Sequence, residues 1–560
     1  MALDVLYTHG AVRTQDPARP LAHSIGVHHG RVVSLDDDLP ASAFARVVDL
    51  GGAPVVPGFN DAHCHVSFIG ESLVQVDLRP AAAPTRAALV DAVRARAAST
   101  PAGEWIVGAG YDQNTYEDGQ HPTAAELDAA APEHPVWLWH SSRHMGVAST
   151  AAFAAAGFPD RRGLEVPEGG SVPLDDDGRA LGLLQETAKG LVTDAIPEKT
   201  TQQVADQIAA ACEVLLAAGV TSATEPGIGA PAHIGQSVTD LGAFQLAKDQ
   251  GRLGVRMTVM PYLTTLHPVD PTGAEVAREL PAEGRPFGLD LGLRTGLGDE
   301  FLRVGPVKVL SDGSLIGRSA FMCADYALDA EQGVQNKGFL QFSPEYLRTR
   351  LIAAHRDGWQ LAVHAIGDGA VDVVLDIIAE AQRRHPRPDP RHRIEHLGVA
   401  DDEQVARCAQ LGVVPVSQGR FVRELGDGTA RALGPERTRL CYRMKSLLDA
   451  GIKAPASTDA PVVDHRPLRN IHDMVNRRTS SGAEFVPEER VTVEEAVRAY
   501  TVHSAWAVHQ DREVGTLAPG MLADFVVLSE DLHEVDPGRI EDVQVVATVV
   551  GGELVHGSLG

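Results

Sequence analysis

Short apolar runs separated by turn residues open the chain. Val5-Leu6-Tyr7, Ser24-Ile25-Gly26-Val27, Gly30-Arg31-Val32-Val33 and Ala45-Arg46-Val47-Val48 read as strands of a small β-module. The C-terminal end has the same texture: residues 523–528 and 543–550 are strand-like, and Gly551-Gly552-Glu553 forms a tight turn. Open sheet edges are costly unless covered, so the two ends are expected to pair as one split β-sandwich over residues 1–57 and 512–560.

Between the ends, apolar runs alternate with helical stretches such as 201–218 and 371–383, the pattern of parallel βα units. The runs are Val55-Val56-Pro57-Gly58, Gly219-Val220-Thr221-Ser222, Val255-Arg256-Met257-Thr258-Val259, Pro306-Val307-Lys308-Val309, Leu361-Ala362-Val363-His364, Arg393-Ile394-Glu395-His396, Val413-Val414-Pro415-Val416 and the segment closing at Asp459. This series predicts an α/β fold with a (β/α)8 TIM barrel over residues 58–511. The interval from about 72 to 205 holds its own apolar run, Pro135-Val136-Trp137-Leu138-Trp139, and is too long for one crossover. An inserted subdomain, able to act as a lid, is expected there.

Composition narrows the class. The 560 residues are 44% hydrophobic and 22% charged, ordinary for a globular chain, so neither disorder nor a fibrous repeat fits. Forty-nine basic against seventy-five acidic residues leave a net charge of −26, which repels phosphate backbones and anionic lipid and argues against nucleic acid as a partner. No apolar run approaches the ~20 residues of a membrane helix, and the start, MALDVLYTHG, lacks the basic and apolar regions of a secretory signal. A cytoplasmic protein without a membrane partner is expected. Five scattered cysteines, with no C-x-x-C pair, fit reduced thiols.

The strongest chemical signal is Asp61-Ala62-His63-Cys64-His65, directly after a strand-like run. On extended chain His63 and His65 point one way and Cys64 the other, so two imidazoles can grip one metal while Cys64 packs as a core thiol. His364, His396 and Asp459 each close a further strand-like run. Taken singly, each also fits a dull role, such as a helix N-cap for Asp459 or a satisfied core histidine. Taken together they form an imidazole and carboxylate set suited to Zn²⁺, with Mn²⁺, Fe²⁺ or Co²⁺ as alternatives.

With these motifs the sequence resembles the metal-dependent amidohydrolase superfamily, in its amidohydrolase-3 branch (YtcJ-like, including N-substituted formamide deformylase). The resemblance spans nearly the whole chain. It rests on residues 57–65, on Val307-Lys308-Val309-Leu310-Ser311-Asp312-Gly313-Ser314, on residues 363–370, on Arg393-Ile394-Glu395-His396, on Ser457-Thr458-Asp459-Ala460-Pro461 and on residues 515–524. It implies a binuclear centre with His63, His65 and Asp459 on one ion, His364 and His396 on the other, and a CO₂-carboxylated Lys308 bridging them. The competing reading of Lys308 is an ordinary strand lysine. A metal-bound hydroxide is the implied nucleophile, with Asp459 as general base and then general acid in hydrolysis of a small-molecule amide.

Weaker candidates lie outside that set. His144 matches a family histidine that can hydrogen-bond substrate, or it packs in its loop; Glu186 matches a family glutamate without an assigned role. Arg318 either clamps a substrate carboxylate or pairs with a neighbouring acid. Glu395 precedes His396 and is expected to face the opposite side of its strand, away from catalysis. One departure concerns Ser417-Gln418-Gly419-Arg420-Phe421, where relatives often carry Gln-Pro-x-His, so the substrate of a close relative does not carry over. A ring-amidine deaminase is disfavoured because Ala365-Ile366-Gly367 follows His364 where an H-x-x-E pattern is expected. The full ligand set argues against a non-catalytic scaffold, while a carbamate or ester hydrolase and a homodimer stay open.

Overall fold

A computed structural model describes residues 2–140, 145–167, 170–231, 233–269 and 285–559. The chain forms two compact units, one of Met1–Phe68 with Ile208–Gly560 and one of Ile69–Gln207, both mixed α/β.

Parallel strands carry the core of the larger unit. They are β1 (Phe59–Asp61), β2 (Val220–Ile228), β3 (Arg256–Pro261), β4 (Val307–Leu310), β5 (Leu361–Ala365), β6 (Arg393–His396), β7 (Val414–Gln418) and β8 (Ala456–Ser457). β2 pairs with both β1 and β3, while β4 through β8 pair in chain order. A parallel bridge between Tyr262 and Lys308 links β3 to β4. The Ala62 amide donates to the Ala456 carbonyl at 3.3 Å, linking the ends of β1 and β8.

The first strand differs from the expected one. Pro54–Pro57 pairs antiparallel with Phe525–Leu528 in a terminal sheet, and only Phe59–Asp61 joins β2. The chain changes sheets at Gly58, whose amide donates to Asp524 O at 2.9 Å. A Cβ there would lie 2.1 Å from Thr221 Oγ1, so only glycine fits the crossing.

Strand alternation sorts the side chains. Val307, Val309, Leu361, Val363 and Ile394 enter the main apolar cluster, where helix Asp368–Arg384 packs through Val371, Val374, Leu375, Ile378 and Ala381. That spacing of three and four residues makes one apolar stripe, and each fully buried Val, Leu or Ile contributes roughly 1.5–3 kcal/mol. Asp368 in the first turn and Arg383 and Arg384 in the last suit the helix dipole. The next helix, Asp402–Leu411, starts on an Asp401–Gln404 capping box and stops at Gly412, whose φ of 61° is left-handed.

Both chain ends contribute to one six-stranded sheet, in the order 553–557, 545–550, 525–528, 54–57, 11–13, 21–22. A four-stranded sheet of residues 3–8, 25–28, 31–35 and 44–49 shares its apolar cluster, in which Tyr7 meets Phe525 edge-on at 4.9 Å.

The smaller unit is built on a six-stranded sheet in which one of the two central strands, Val136–His140, buries Trp137 completely. Helices Arg86–Ala97 and Ala124–Ala130 supply Leu89, Val93 and Leu127 to its core. Among the described residues, no helix is long and apolar enough to cross a membrane.

Candidate metal centre

The segment after β1 and the segment after β8 are stitched together by backbone. Asp459 N donates to His63 O at 2.8 Å, and His65 N donates to Ala460 O at 2.9 Å. Asp61, fully buried, accepts from the Thr458 hydroxyl at 2.5 Å, the Thr458 amide at 3.1 Å and the His63 amide at 3.2 Å. Burial pushes its carboxyl up to about 6, and these hydrogen bonds oppose the rise. Residues almost four hundred positions apart are thereby held in one frame.

Within that frame the imidazoles form a row. Ring centroids lie 5.5 Å apart for His65 and His63, 4.9 Å for His63 and His396, and 4.6 Å for His396 and His364. Asp459 Oδ1 is 3.3 Å from His63 Nε2 and 3.2 Å from His65 Nε2. His63, His396 and Asp459 each offer a ligand atom within 4.8 Å of the others, all three buried. Two of these three residues sit in left-handed backbone, His396 at φ 75° and Asp459 at φ 59°, a conformation uncommon outside glycine and often tied to function.

The far sides of the rings are also fixed. His63 Nδ1 is hydrogen-bonded to Glu395 Oε2. Arg393 grips Glu395 through Nε to Oε1 at 2.7 Å and Nη2 to Oε2 at 2.9 Å, with both side chains fully buried. Burial alone would raise the Glu395 carboxyl, but Arg393, His63 and Lys308 hold it well below the usual carboxylate range. His396 Nδ1 meets Gln418 Oε1 at 3.0 Å, and Gln418 in turn donates to Ser457 Oγ at 2.9 Å. His65 Nδ1 lies 3.9 Å from Glu225 Oε1, beyond hydrogen-bond range. Glu225 accepts from the Ser67 amide and hydroxyl, and burial pushes it up to about 8.

His364 behaves differently. Its Nε2 faces the Gly313 carbonyl at 3.0 Å and Asp312 Oδ1 at 3.3 Å. Asp312 also accepts from the Ile366 and Gly367 amides, so the position three after His364 holds Asp312 by its backbone. Lys308 is fully buried, and its Nζ has no hydrogen-bond partner among the described residues. Burial pulls its ammonium down to about 8, with Arg393 lowering it further against the pull of Glu395 and Asp459. Cys64 is buried, and burial pushes its thiol well above its ordinary value.

The donor set fits a divalent cation. Glu395 engages Nδ1 of His63, so Nε2 is the ring nitrogen left facing Asp459 Oδ1 at 3.3 Å, a spacing in which a proton or a cation can be shared between the two atoms. Burial favours the neutral form of His65 and His396, holding His396 well below its ordinary value. Asp459 is kept ionised against its burial by His63 and His65.

Arg318 Nη1 pairs with Asp329 Oδ1 at 2.6 Å, so its guanidinium is engaged with a neighbouring acid and not with the histidine row. Glu186 ends strand Leu183–Glu186 in the smaller unit. His144 lies outside the described residues.

Glu395 overturns its expected placement. Alternation holds within a strand, but β6 ends at His396, where the positive φ swings that ring round to the histidine row already served by Glu395. Gln418 is marked in the sequence only as an unusual strand end, and no local signal makes it the partner of His396.

The sequence profile of the amidohydrolase family matches residues 46–556. The chain is 30% identical over 562 residues to the protein LONG AFTER FAR-RED 3 of Arabidopsis thaliana, covering 99% of this chain and 91% of that one. It is 27% identical over 569 residues to N-substituted formamide deformylase of Arthrobacter pascens, covering 100% and 99%. The solved structure of an uncharacterized metal-dependent hydrolase from Pyrococcus furiosus superposes with a TM-score of 0.73 at 26% identity, covering 95% of this chain and 100% of that one.

Proposed function

The chain belongs to the amidohydrolase family and is a hydrolase, and from that premise we propose that it cleaves the C–N bond of an N-acyl or N-formyl small molecule with the help of divalent metal, Zn²⁺ first among the candidates. The observation that carries this reading is the convergence of His63 Nε2 and His65 Nε2 on one buried Asp459 oxygen, with the Nδ1 of His63 already taken. The linked parallel strands are read as a closed (β/α)8 barrel, the architecture whose sites gather at the C-terminal ends of strands. His63, His65, His396 and Asp459 close or follow β1, β6 and β8.

His63, His65 and Asp459 would hold one ion, and His364 with His396 a second, the His364 ring exchanging its bond to Gly313 O for the ion. A bound divalent cation supplies Lewis acidity, bringing the pKa of water toward neutrality and polarising a carbonyl. Asp459 is the proton carrier: ionised in the resting site, its carboxylate accepts a proton from water and passes it to the departing nitrogen. Lys308 would add an anionic oxygen donor to this set once its neutral amine has added to CO₂, forming a carbamate and releasing one proton. Its unpartnered Nζ and lowered basicity support that assignment, since the amine must be uncharged to react.

N-formyl amides lead the substrate class because a relative covered over 99% of its length is named an N-substituted formamide deformylase. The test is a panel of N-formyl, N-acetyl, N-aryl-acyl, lactam and carbamate compounds with enzyme loaded with Zn²⁺, Mn²⁺ or Co²⁺. Turnover of an N-formyl or N-acyl amide that stops on chelation and returns with metal supports the reading. Protein that retains well under one equivalent of metal and is inert on every compound would replace it with a non-catalytic scaffold.

A further inference from the structure

A buried ion pair is an expensive way to fill a protein interior: desolvation offsets most of the attraction, and apolar side chains of the same volume often do as well. Arg393 and Glu395 are two residues apart on one strand and wholly inaccessible to solvent, so they join no distant segments by themselves. Their remaining contacts go to one place. Glu395 Oε2 bonds His63 Nδ1, and Arg393 Nη2 donates at 2.6 Å to the carbonyl of Ala62, the residue before His63. Backbone and ring of the same histidine are thus gripped from one side, leaving Nε2 toward Asp459.

We propose that Glu395, braced by Arg393, is a positioning residue that fixes the tautomer and direction of His63 and thereby sets the metal affinity of the site. The inference rests on the metal-dependent reading given above. It concerns a carboxylate that ligates nothing itself and acts through the imidazole it orients. His65 provides the internal contrast, because the carboxylate behind its Nδ1 stands at 3.9 Å and is occupied with Ser67. Removing Glu395 therefore loosens one ligand while the other keeps its surroundings.

The test measures Co²⁺ affinity by competition with a chelating indicator, and the visible Co²⁺ spectrum, on the full-length protein. Glu395→Ala is expected to weaken Co²⁺ binding by 10–100-fold and to alter the d–d bands, the range found when outer partners of metal-bound histidines are removed. Glu395→Gln keeps an acceptor oxygen for His63 Nδ1 and is expected to fall between wild type and Glu395→Ala; if the alanine variant does not fold, the glutamine variant decides. Asp524→Asn serves as control, since it disturbs an equally buried ion pair remote in sequence from the histidines and should lower thermal stability without moving the Co²⁺ affinity. Folded Glu395 variants with wild-type affinity and spectrum would overturn the positioning role. Wild-type protein that binds no Co²⁺ would instead remove the metal-dependent reading itself.

Discussion

Arg393 and Arg256 each open a strand, each is buried, and each grips one carboxylate through two nitrogens, yet the two pairs have different consequences. Arg256 reaches Asp524, 268 residues away, at 2.6 and 3.0 Å, and rests on the Phe301 ring at 4.5 Å. Asp524 Oδ1 also accepts from the Gly551 amide at 2.7 Å, and Asp524 O takes the amide of Gly58. Beyond the pair itself these contacts end on backbone or apolar surface, so this pair joins the terminal sheet to β3. The Arg393–Glu395 pair spends its spare hydrogen bonds on Ala62 and His63, so the same chemistry aims a side chain that would otherwise have to be aimed by packing alone. Geometry around the pair, more than its burial, decides whether it is structural or directs a site.

The largest effect is expected at the end of the chain of contacts that the Arg393 pair organises. Asp459→Asn should lower turnover by about 10²–10⁴-fold, the usual worth of a positioned acid–base group, while metal analysis shows most of the metal retained. A near-normal rate would take Asp459 out of proton transfer. The Arg256 pair should respond the opposite way: Asp524→Ala strands a buried guanidinium and is expected to cost about 3–5 kcal/mol in urea unfolding, with turnover per folded molecule unchanged. Loss of turnover beyond the loss of folded protein would collapse the distinction between the two pairs.

A third buried polar group, without any carboxylate, sharpens it further. The Leu361 amide donates to His392 Nδ1 at 3.1 Å, which makes His392 Nε2 the donor to His355 Nδ1 at 2.7 Å, and His355 Nε2 the donor to His385 O at 2.7 Å. Both rings are neutral in this relay. Burial holds His392 well below its ordinary value and also lowers His355, with Arg387 adding to both shifts. Above about pH 6.5 both are neutral whether the chain is folded or not; below it the unfolded chain binds protons that the fold refuses. Stability should therefore fall as pH drops from 6.5, by up to about 1.4 kcal/mol per pH unit for each histidine. Urea midpoints compared at pH 8 and pH 5.5, in wild type and in His392→Gln, check this, and a flat wild-type profile would contradict it. The smallest expected change is Thr492→Ala, which breaks the Thr492–Glu495 capping box at the start of helix Val493–Arg498 and should cost about 1 kcal/mol without affecting turnover.

Several of these relations are legible in the order of the residues. Helix Asp368–Arg384 follows from its apolar stripe, and the strand that carries His364 follows from the apolar run Leu361-Ala362-Val363. The pairing of His63 with His65 on one side needs only the alternation of extended chain. Departures from regular geometry leave no such trace. Alternation places Glu395 away from the histidines, because a left-handed residue at His396 has no signature in a sequence that carries histidine and not glycine there. The run Val55–Pro57 looks like the first strand of the parallel series, because nothing local says that Gly58 lets the chain leave one sheet and enter another.

By itself, then, the sequence determined the local elements, the net charge and the family, since these depend on residue type and spacing over short windows. Tertiary structure alone decided which nitrogen of His63 faces Asp459, which carboxylate stands behind it, and that Arg318 spends its charge on Asp329. Those outcomes turn on contacts a few ångströms long between residues hundreds of positions apart, where a single hydrogen bond selects one tautomer or rotamer from several that the chain's chemistry permits equally.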